Sequence, residues 1–385
     1  MTNILINTVK SNEEGNTYQK AEVSILIPVY NGGKFLEATL NEIKQLGYLD
    51  ICTFIDDAST DNTASILRSW QSQLANVYFM PKNGQKIGTI KKVLEHMKSH
   101  GTLPKYIILT DADTFFYNHN CKVALQRAIV YLEQKHFAAV GLMDVPSNND
   151  NLLQTLQYWE YLSDRAMHTF LSRKGHMRCI PGAGGIYQSD ILLQALQSHS
   201  LRHAGDDMET TALIQKLGYK VGYYNTDLQA RTRVPHSLIG LVKQRIRWTV
   251  GAIETYIKER NFYFHRLLNL NRHSWQILYE TLKLLTYVGW YWALYKHFIF
   301  IAIIGWFATF ALSLFFVMVN PESKGQRIQA TFWMIPTSFM IYLVDTIRLP
   351  ASYIVLIINT VPRLESTTPW SDTWRLLTFQ TITKN

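Results

Sequence analysis

The first two thirds of the chain alternate short apolar runs with amphipathic stretches. Apolar runs of strand length occupy residues 23–29, 51–55, 77–80 and 106–109, and each run is followed by turn-forming or acidic residues. Helical periodicity follows the first three runs, over residues 35–46, 64–74 and 89–99. A repeated strand, helix, strand order predicts an α/β domain with a mostly parallel sheet.

The last third has longer apolar runs, most of them between residues 277 and 362. Residues 298–319 carry no charged side chain and are long enough to span a bilayer. Further candidate segments are residues 284–295, 328–344 and 349–361. Lys324 and Arg327 follow the segment at residues 298–319, and Arg363, Arg375 and Lys384 follow the segment at residues 349–361. By the positive-inside rule, these basic residues indicate that both stretches are cytosolic. We therefore expect four crossings of a cell membrane.

This pattern predicts three parts of the chain. Residues 1–22 are a polar segment without the apolar core of a signal peptide, and residues 23–260 are a cytosolic α/β domain. Residues 261–385 are interfacial and transmembrane helices with a cytosolic tail. The three cysteines, Cys52, Cys121 and Cys179, have no paired spacing, so we expect reduced thiols rather than disulfides or a zinc site.

The chain is basic, with a formal net charge of +9. Its Lys and Arg residues are scattered, and their densest group, residues 243–247, lies just before the apolar region. That position favours contact with a membrane surface over binding of nucleic acid.

Asp111-Ala112-Asp113 follows the fourth apolar run directly. At the carboxyl edge of an open α/β sheet, such side chains face the crevice in which ligands bind. Alternate residues of an extended chain face opposite ways, so one acid can hold a ribose and the other Mg²⁺ or Mn²⁺, which bridges carboxylates to substrate phosphates. A solvated turn at the start of a helix remains an alternative.

Together with Asp111-Ala112-Asp113, the residues at the ends of two earlier predicted strands resemble glycosyltransferase family 2, the inverting nucleotide-sugar transferases with the GT-A fold. They are Pro28-Val29-Tyr30-Asn31 and the run from Asp56 to Asp61. The resemblance implies a UDP-sugar site in which Asp113 binds the metal and Lys86 meets the diphosphate. It also implies that Asp111 forms the nucleotide pocket together with Pro28, Tyr30, Asp56 and Asp57.

Two later stretches resemble the membrane-embedded cellulose, chitin, hyaluronan and poly-N-acetylglucosamine synthases. The stretch Gly205-Asp206-Asp207-Met208-Glu209-Thr210 matches their acidic element, which implies that Asp207 is the catalytic base. A carboxylate beside another acid has a raised pKa, which improves it as a base. Acidic residues at a helix amino terminus are also common without any catalytic role.

The second stretch is Gln244-Arg245-Ile246-Arg247-Trp248, which matches the Gln-x-x-Arg-Trp signature of those synthases. On a helix, Gln244, Arg247 and Trp248 share one face. The resemblance implies that all three bind the donor, that Arg247 also takes part in catalysis and that Trp248 also contacts the acceptor sugar. The alternative is an amphipathic interfacial helix with snorkelling basic side chains.

Pro181-Gly182-Ala183-Gly184-Gly185 lies between these motifs. Small residues allow a backbone to approach a ligand closely, so Gly182 and Gly184 are candidate acceptor contacts, although a simple tight turn is an equal alternative. Residues 147–175 predict a helix that serves mainly in packing, with contact to the acceptor as a lesser alternative.

These features together predict an inverting transferase that adds sugar from a UDP-sugar to a growing polysaccharide by metal-assisted displacement. The alternative is a transferase that adds one sugar to a lipid-linked acceptor. A non-enzymatic carbohydrate-binding protein would leave the aligned acids unexplained. The larger synthases usually have amino-terminal spans, which the sequence lacks, so we expect an oligomer or a partner to supply any export channel.

Overall fold

The computed structural model describes residues 7–8, 22–173, 175–201, 205–268, 299–319, 325 and 327–360. Its strands are β1 (Asn7–Thr8), β2 (Val23–Val29), β3 (Cys52–Asp56), β4 (Asn76–Phe79), β5 (Tyr106–Leu109), β6 (Thr114–Tyr117), β7 (Ala139–Pro146), β8 (Gly185–Gln188) and β9 (Val221–Thr232). Its α-helices are α1 (Leu36–Gln45), α2 (Thr63–Trp70), α3 (Lys86–Ser99), α4 (Cys121–Gln134), α5 (Leu152–Ser172), α6 (Ser189–Gln197), α7 (Asp206–Lys216), α8 (Leu238–Lys258), α9 (Arg260–Leu268), α10 (Ile299–Val319) and α11 (Arg327–Thr360).

The described strands form one sheet in the order β1-β4-β3-β2-β5-β8-β7-β9-β6. Strands β4, β3, β2 and β5 are parallel, which confirms the predicted parallel arrangement of the first half. The two faces of β2 are both buried, with Ile25 and Ile27 on one side and Leu26 on the other, because helices cover both sides. The carboxyl ends of β2, β3 and β5 therefore lie at one edge.

Mixed pairing begins at β8, which is antiparallel to both β5 and β7. Strand β7 is parallel to β9, and β6 pairs antiparallel with β9. Gly185, at the start of β8, is opposite Leu109, at the end of β5. This register brings the glycine-rich loop of residues 181–185 beside the Asp-Ala-Asp element.

The first turn of α3 differs from the sequence-based prediction, which began this helix at residue 89. The helix begins at Lys86, immediately after Gln85, whose φ of +60° closes the preceding loop. The carboxylate of Asp57 accepts hydrogen bonds from Gly84 N and Thr89 Oγ1, and these fix the first turn. Lys86 is therefore held by a helix rather than by a loop. The segment predicted as a polar terminus also contributes β1, which pairs with β4.

Helices α10 and α11 pack against the α/β domain. Trp159 and Leu162 of α5 contact Val317 and Met334, and Val355 of α11 packs on Ile246 and Val250 of α8. Leu241 of α8 and Leu156 of α5 meet Met340 and Val344 of α11 in a third apolar cluster. Helices α5 and α8 thus connect the sheet to the apolar end of the chain.

The expectation of separate segments at residues 328–344 and 349–361 is wrong, because residues 327–360 form one helix. Asp345 and Arg348, which lie between the two expected segments, form an ion pair of 2.6 Å on this helix. Among the described residues, Arg327–Leu356 is long and apolar enough to cross a membrane, and Ile303–Phe315 is a shorter apolar stretch. Four crossings are therefore not supported, and the candidate segment at residues 284–295 lies outside the described residues.

Candidate functional site

Two loops at the carboxyl edge of the sheet are joined by hydrogen bonds. Asn31, after β2, accepts a bond of 2.8 Å from Thr60 N, and its own N–H donates to Ser59 Oγ at 2.9 Å. Asn31 has a φ of +52°, a conformation that asparagine tolerates better than most residues. Tyr30 precedes it and is 51% exposed, so its ring is open to a ligand, whereas Pro28 is part of β2.

Asp56 and Asp57 are both buried and both have partners within the protein. Asp56 accepts a hydrogen bond from Ser59 N at 3.1 Å. Asp57 Oδ1 accepts bonds from Gly84 N at 2.7 Å and Thr89 Oγ1 at 2.5 Å. Burial raises the pKa of Asp57, although these hydrogen bonds oppose the rise. The two acids therefore hold the loops at this edge in place.

Lys86 connects two of the predicted site acids. Its Nζ lies 2.8 Å from Asp111 Oδ1 and 3.6 Å from Asp207 Oδ1. Burial alone would lower the pKa of Lys86, but Asp111, Asp207 and Asp206 outweigh it and raise the pKa well above its usual value. The start of α3, the end of β5 and the start of α7 thus meet around one stable cation.

Asp207 is a carboxylate suited to accept a proton near neutral pH. Burial and the neighbouring carboxylate of Asp206 raise its pKa to about 7, against the opposing effect of Lys86. A base whose pKa lies near the operating pH combines a useful ionised fraction with a strong tendency to take up the proton.

Asp111 and Asp113 present hard oxygen ligands close together. Asp113 has its pKa raised by burial and by Asp111, whereas Arg233 lowers it. No group of three or more His, Cys, Asp or Glu residues suited to a metal occurs in the described part of the chain. Two carboxylates nevertheless fit Mg²⁺ or Mn²⁺ when the remaining ligands are phosphate oxygens and water. Because Lys86 holds Asp111, Asp113 is the more available ligand.

The glycine-rich loop contributes one of its two predicted residues directly to this site. A Cβ atom on Gly182 would lie 2.1 Å from Asp207 Oδ2, so any other residue there would displace that carboxylate. The carbonyl of Ala183 accepts a 2.7 Å bond from Thr110 Oγ1, which ties the loop to the end of β5. Gly184 is buried, and a Cβ there would meet Phe116 and Ala230, so close packing favours a small residue at this position.

The Gln-x-x-Arg-Trp signature lies on α8, and α8 crosses the start of α7. A Cβ on Gly205 would lie 2.2 Å from the carbonyl oxygen of Gly251, so the two backbones touch. Trp248, 42% exposed, precedes Gly251 by less than one turn, and Asp207 follows Gly205 by two residues. Arg247 is exposed, whereas Gln244 is half-buried with its Oε1 atom buried and without a hydrogen-bond partner.

Sequence reasoning missed the role of Glu209. Its fully buried carboxylate accepts bonds from Ser200 N at 2.9 Å and Ser200 Oγ at 2.6 Å, and it pairs with Lys258 of α8. The signal available was its place in the acidic element, three residues after Asp206. Glu209 thereby fixes the start of α7, and with it Asp207, relative to α8.

Sequence reasoning also missed Arg245, which it grouped with the snorkelling basic residues. The guanidinium is buried and pairs with Glu160 of α5, with Nη2 2.8 Å from Oε2. Its carbon Cζ lies 4.1 Å from the centroid of the Trp248 ring. A charged residue at a buried helix position gives no local sign of its partner, because that partner is on another helix.

Comparison with known proteins gives this arrangement a family context. Residues 24–192 match the sequence profile of glycosyl transferase family 2. An uncharacterised glycosyltransferase of Mycoplasma genitalium is 30% identical over 101 residues, which cover 25% of this chain and 33% of that protein. A second, from Mycoplasma pneumoniae, is 28% identical over 97 residues, covering 24% of this chain and 31% of that protein. The chain thus spans about a third of the length of the curated relatives it matches.

A solved structure with the same fold is a mannosyltransferase of Pyrobaculum calidifontis in complex with GDP-Man and Mn²⁺. The TM-score is 0.51 at 16% sequence identity, and the match covers 85% of this chain and 87% of that one. The described α/β region therefore has a GT-A-like fold, and the profile match within it supports a glycosyltransferase.

Proposed function

We propose that this chain, which carries a glycosyl transferase family 2 domain, is an inverting, membrane-bound transferase that moves a sugar from a UDP-sugar to the hydroxyl of a growing polysaccharide. The observation that carries the proposal is the position of Lys86 between Asp111 and Asp207 at the carboxyl edge of the sheet. The arrangement supplies one cation for a donor diphosphate and one carboxylate for an acceptor proton.

The donor half of the site contains a nucleoside region and a diphosphate region. In this proposal the exposed ring of Tyr30, with Pro28 and the carboxylates of Asp56 and Asp57, receives the base and ribose, and Asp111 lies against the nucleoside. Lys86, Gln244 and Arg247 bind the diphosphate, because guanidinium and ammonium groups pair with phosphate oxygens. Asp113 would hold Mg²⁺ or Mn²⁺, which supplies positive charge to the leaving group.

The displacement itself uses Asp207. Its carboxylate takes the proton from the acceptor hydroxyl while that oxygen forms a bond to the anomeric carbon. The bond from the anomeric carbon to the diphosphate breaks on the opposite face, and the electron pair leaves with the nucleotide. Lys86 and Arg247 stabilise the negative charge that develops on that leaving group. The acceptor sugar lies between Trp248, as a stacking face, and Gly182, where the backbone is close to Asp207.

The apolar helices support attachment to a membrane. Large apolar side chains on α10 and α11 are exposed, among them Phe307, Phe315, Phe332, Phe339 and Leu343. A lipid bilayer is the occupant that such a surface needs. The catalytic domain then lies in the cytosol beside the membrane surface. A polymer would leave through a path completed by a second copy or a partner.

A second candidate is the transfer of one sugar to a lipid-linked acceptor. It is favoured by the packing of Val355 on Ile246 and Val250, which places the apolar helix α11 directly against the helix that carries Trp248. A lipid lying along α11 would have a short path from the bilayer to the site.

The test is incubation of membranes containing the full chain with radiolabelled UDP-glucose, UDP-N-acetylglucosamine, UDP-galactose or GDP-mannose. The proposal predicts label in long products with a UDP-sugar, and none with the Asp207→Asn variant. Label confined to an organic-soluble product with one added sugar would establish the second candidate. No transfer from any of the four donors would overturn both.

A further inference from the structure

We propose that Glu160 and Arg245 are positioning residues that fix the indole of Trp248 and thereby set how firmly the acceptor sugar is held. The inference rests on the proposed function, which assigns Trp248 to the acceptor. It extends the site to α5, a helix that carries none of the sequence-predicted site residues.

The geometry links three side chains in series. Arg245 is 4% exposed, and its Nη2 lies 2.8 Å from Glu160 Oε2. Its Cζ is 4.1 Å from the centroid of the Trp248 ring, within the range of a cation–π contact. Trp248 still exposes 42% of its surface, so the guanidinium covers part of the indole and leaves the rest for a ligand.

The charges explain why this arrangement holds the indole in place. A guanidinium at this depth needs a counter-charge, and Glu160 provides it from the neighbouring helix. Burial lowers the pKa of Arg245, but Glu160, Tyr161 and Asp164 together more than compensate and the net pKa is raised, so the cation persists. The cation then attracts the face of the indole one turn further along α8. Glu160 therefore restrains Trp248 through Arg245.

A purely structural role would be to join α5 to α8. A variant that keeps the packing and removes both charges distinguishes this structural role from the positioning of Trp248. Such a variant can keep the fold, because exchanging a buried ion pair for apolar residues of similar volume is often neutral or stabilising. Glu160→Leu with Arg245→Met is that variant. Lys216→Met with Glu259→Leu is its matched control, since it removes a 2.6 Å ion pair between α7 and the end of α8 without touching Trp248.

Two readouts are made on the full chain in detergent-solubilised membranes. For the first, Trp248→Ala is introduced into the parent, the double variant and the control pair, and the near-ultraviolet circular dichroism signal that this substitution removes is measured in each. This difference reports the packing of the Trp248 indole without requiring turnover. The second is the number of nucleotides released per sugar transferred from the UDP-sugar that gives most product among the four donors above. This ratio rises when the acceptor is poorly held and water replaces it.

We expect the double variant to lose most of the Trp248 dichroism signal and to release about three- to tenfold more nucleotide per sugar transferred, as expected for the loss of one aromatic stacking contact. The control pair should match the parent in both readouts. Arg245→Lys, which keeps the positive charge but not the planar stack, should show the same changes in weaker form, and it decides the question if the double variant does not fold.

A double variant with the parent's dichroism signal and ratio would overturn the proposal, as would equal changes in the control pair. If the parent transfers no sugar at all, the proposed function fails, and the dichroism signal alone decides whether Glu160 and Arg245 position Trp248.

Discussion

Gly182 and Asp207 are in such close contact that a Cβ atom on Gly182 would lie 2.1 Å from Oδ2 of the carboxylate. No real side chain tolerates that distance, so any other residue at position 182 must displace the carboxylate. Asp207 is therefore confined on one side by a bare backbone and on the other by Lys86.

The first prediction follows from this contact. Gly182→Ala should reduce kcat for sugar transfer about a hundredfold, because misplacing a catalytic group by about 1 Å has an effect of this size. Binding of UDP, measured by calorimetry, should be little changed. Gly88→Ala is the control, since a Cβ there meets nothing within 4 Å and alanine suits a helix interior better than glycine. Equal losses of transfer in both variants would contradict the role of Gly182.

The second prediction concerns pH. Since burial and Asp206 raise the pKa of Asp207 to about 7, kcat/KM should fall as the pH drops through about 7 and this base becomes protonated. Asp206→Asn removes the negative neighbour and should move this acidic limb to lower pH. The measurement is kcat/KM between pH 5 and pH 9 for both proteins. An acidic limb at the same pH in both would show that Asp206 does not raise the pKa of the base.

The third prediction concerns stability. Glu209→Gln should lower the free energy of unfolding by about 2 kcal/mol, because a buried carboxylate that accepts several hydrogen bonds loses its charge-assisted partners. Lys98→Gln, which breaks the exposed pair with Asp190, should change it by less than about 1 kcal/mol. Urea denaturation of the two variants and the parent gives both values. A smaller loss for Glu209→Gln than for Lys98→Gln would contradict the anchoring role of Glu209.

The fourth prediction concerns the metal. Excess chelator should abolish transfer, and Mg²⁺ or Mn²⁺ should restore it, because two carboxylates and a diphosphate together provide the oxygen ligands that these ions prefer. Asp113→Asn should require a higher metal concentration for half-maximal activity, whereas Asp61→Asn, which changes a loop acid after β3, should not. Full transfer in chelator would exclude the assigned role of Asp113.

The sequence predicted the edge of the sheet well, because each strand there is a mainly apolar run followed by turn-forming or acidic residues. The ends of β2, β3 and β5 carry Tyr30, Asp56 and Asp111 as the pattern indicated. Parallel pairing then places these ends together without any further information.

The sequence could not predict contacts that depend on how helices cross. Lys86 and Asp207 are far apart in the chain, and their meeting requires α3 and α7 to begin at the same edge of the sheet. Arg245 looked like a solvent-facing residue of an amphipathic helix until α5 supplied Glu160. The two segments expected at residues 328–344 and 349–361 likewise form one helix, in which Asp345 and Arg348 pair with each other.

The most direct test of the account compares the parent with Asp207→Asn under saturating UDP-sugar and metal. We predict that the variant binds UDP with a dissociation constant within about threefold of the parent's, while the rate of sugar transfer falls by about 10³-fold, within the range for removal of a general base. Transfer within about tenfold of the parent's rate, with UDP binding intact, would contradict the assignment of Asp207 as the base.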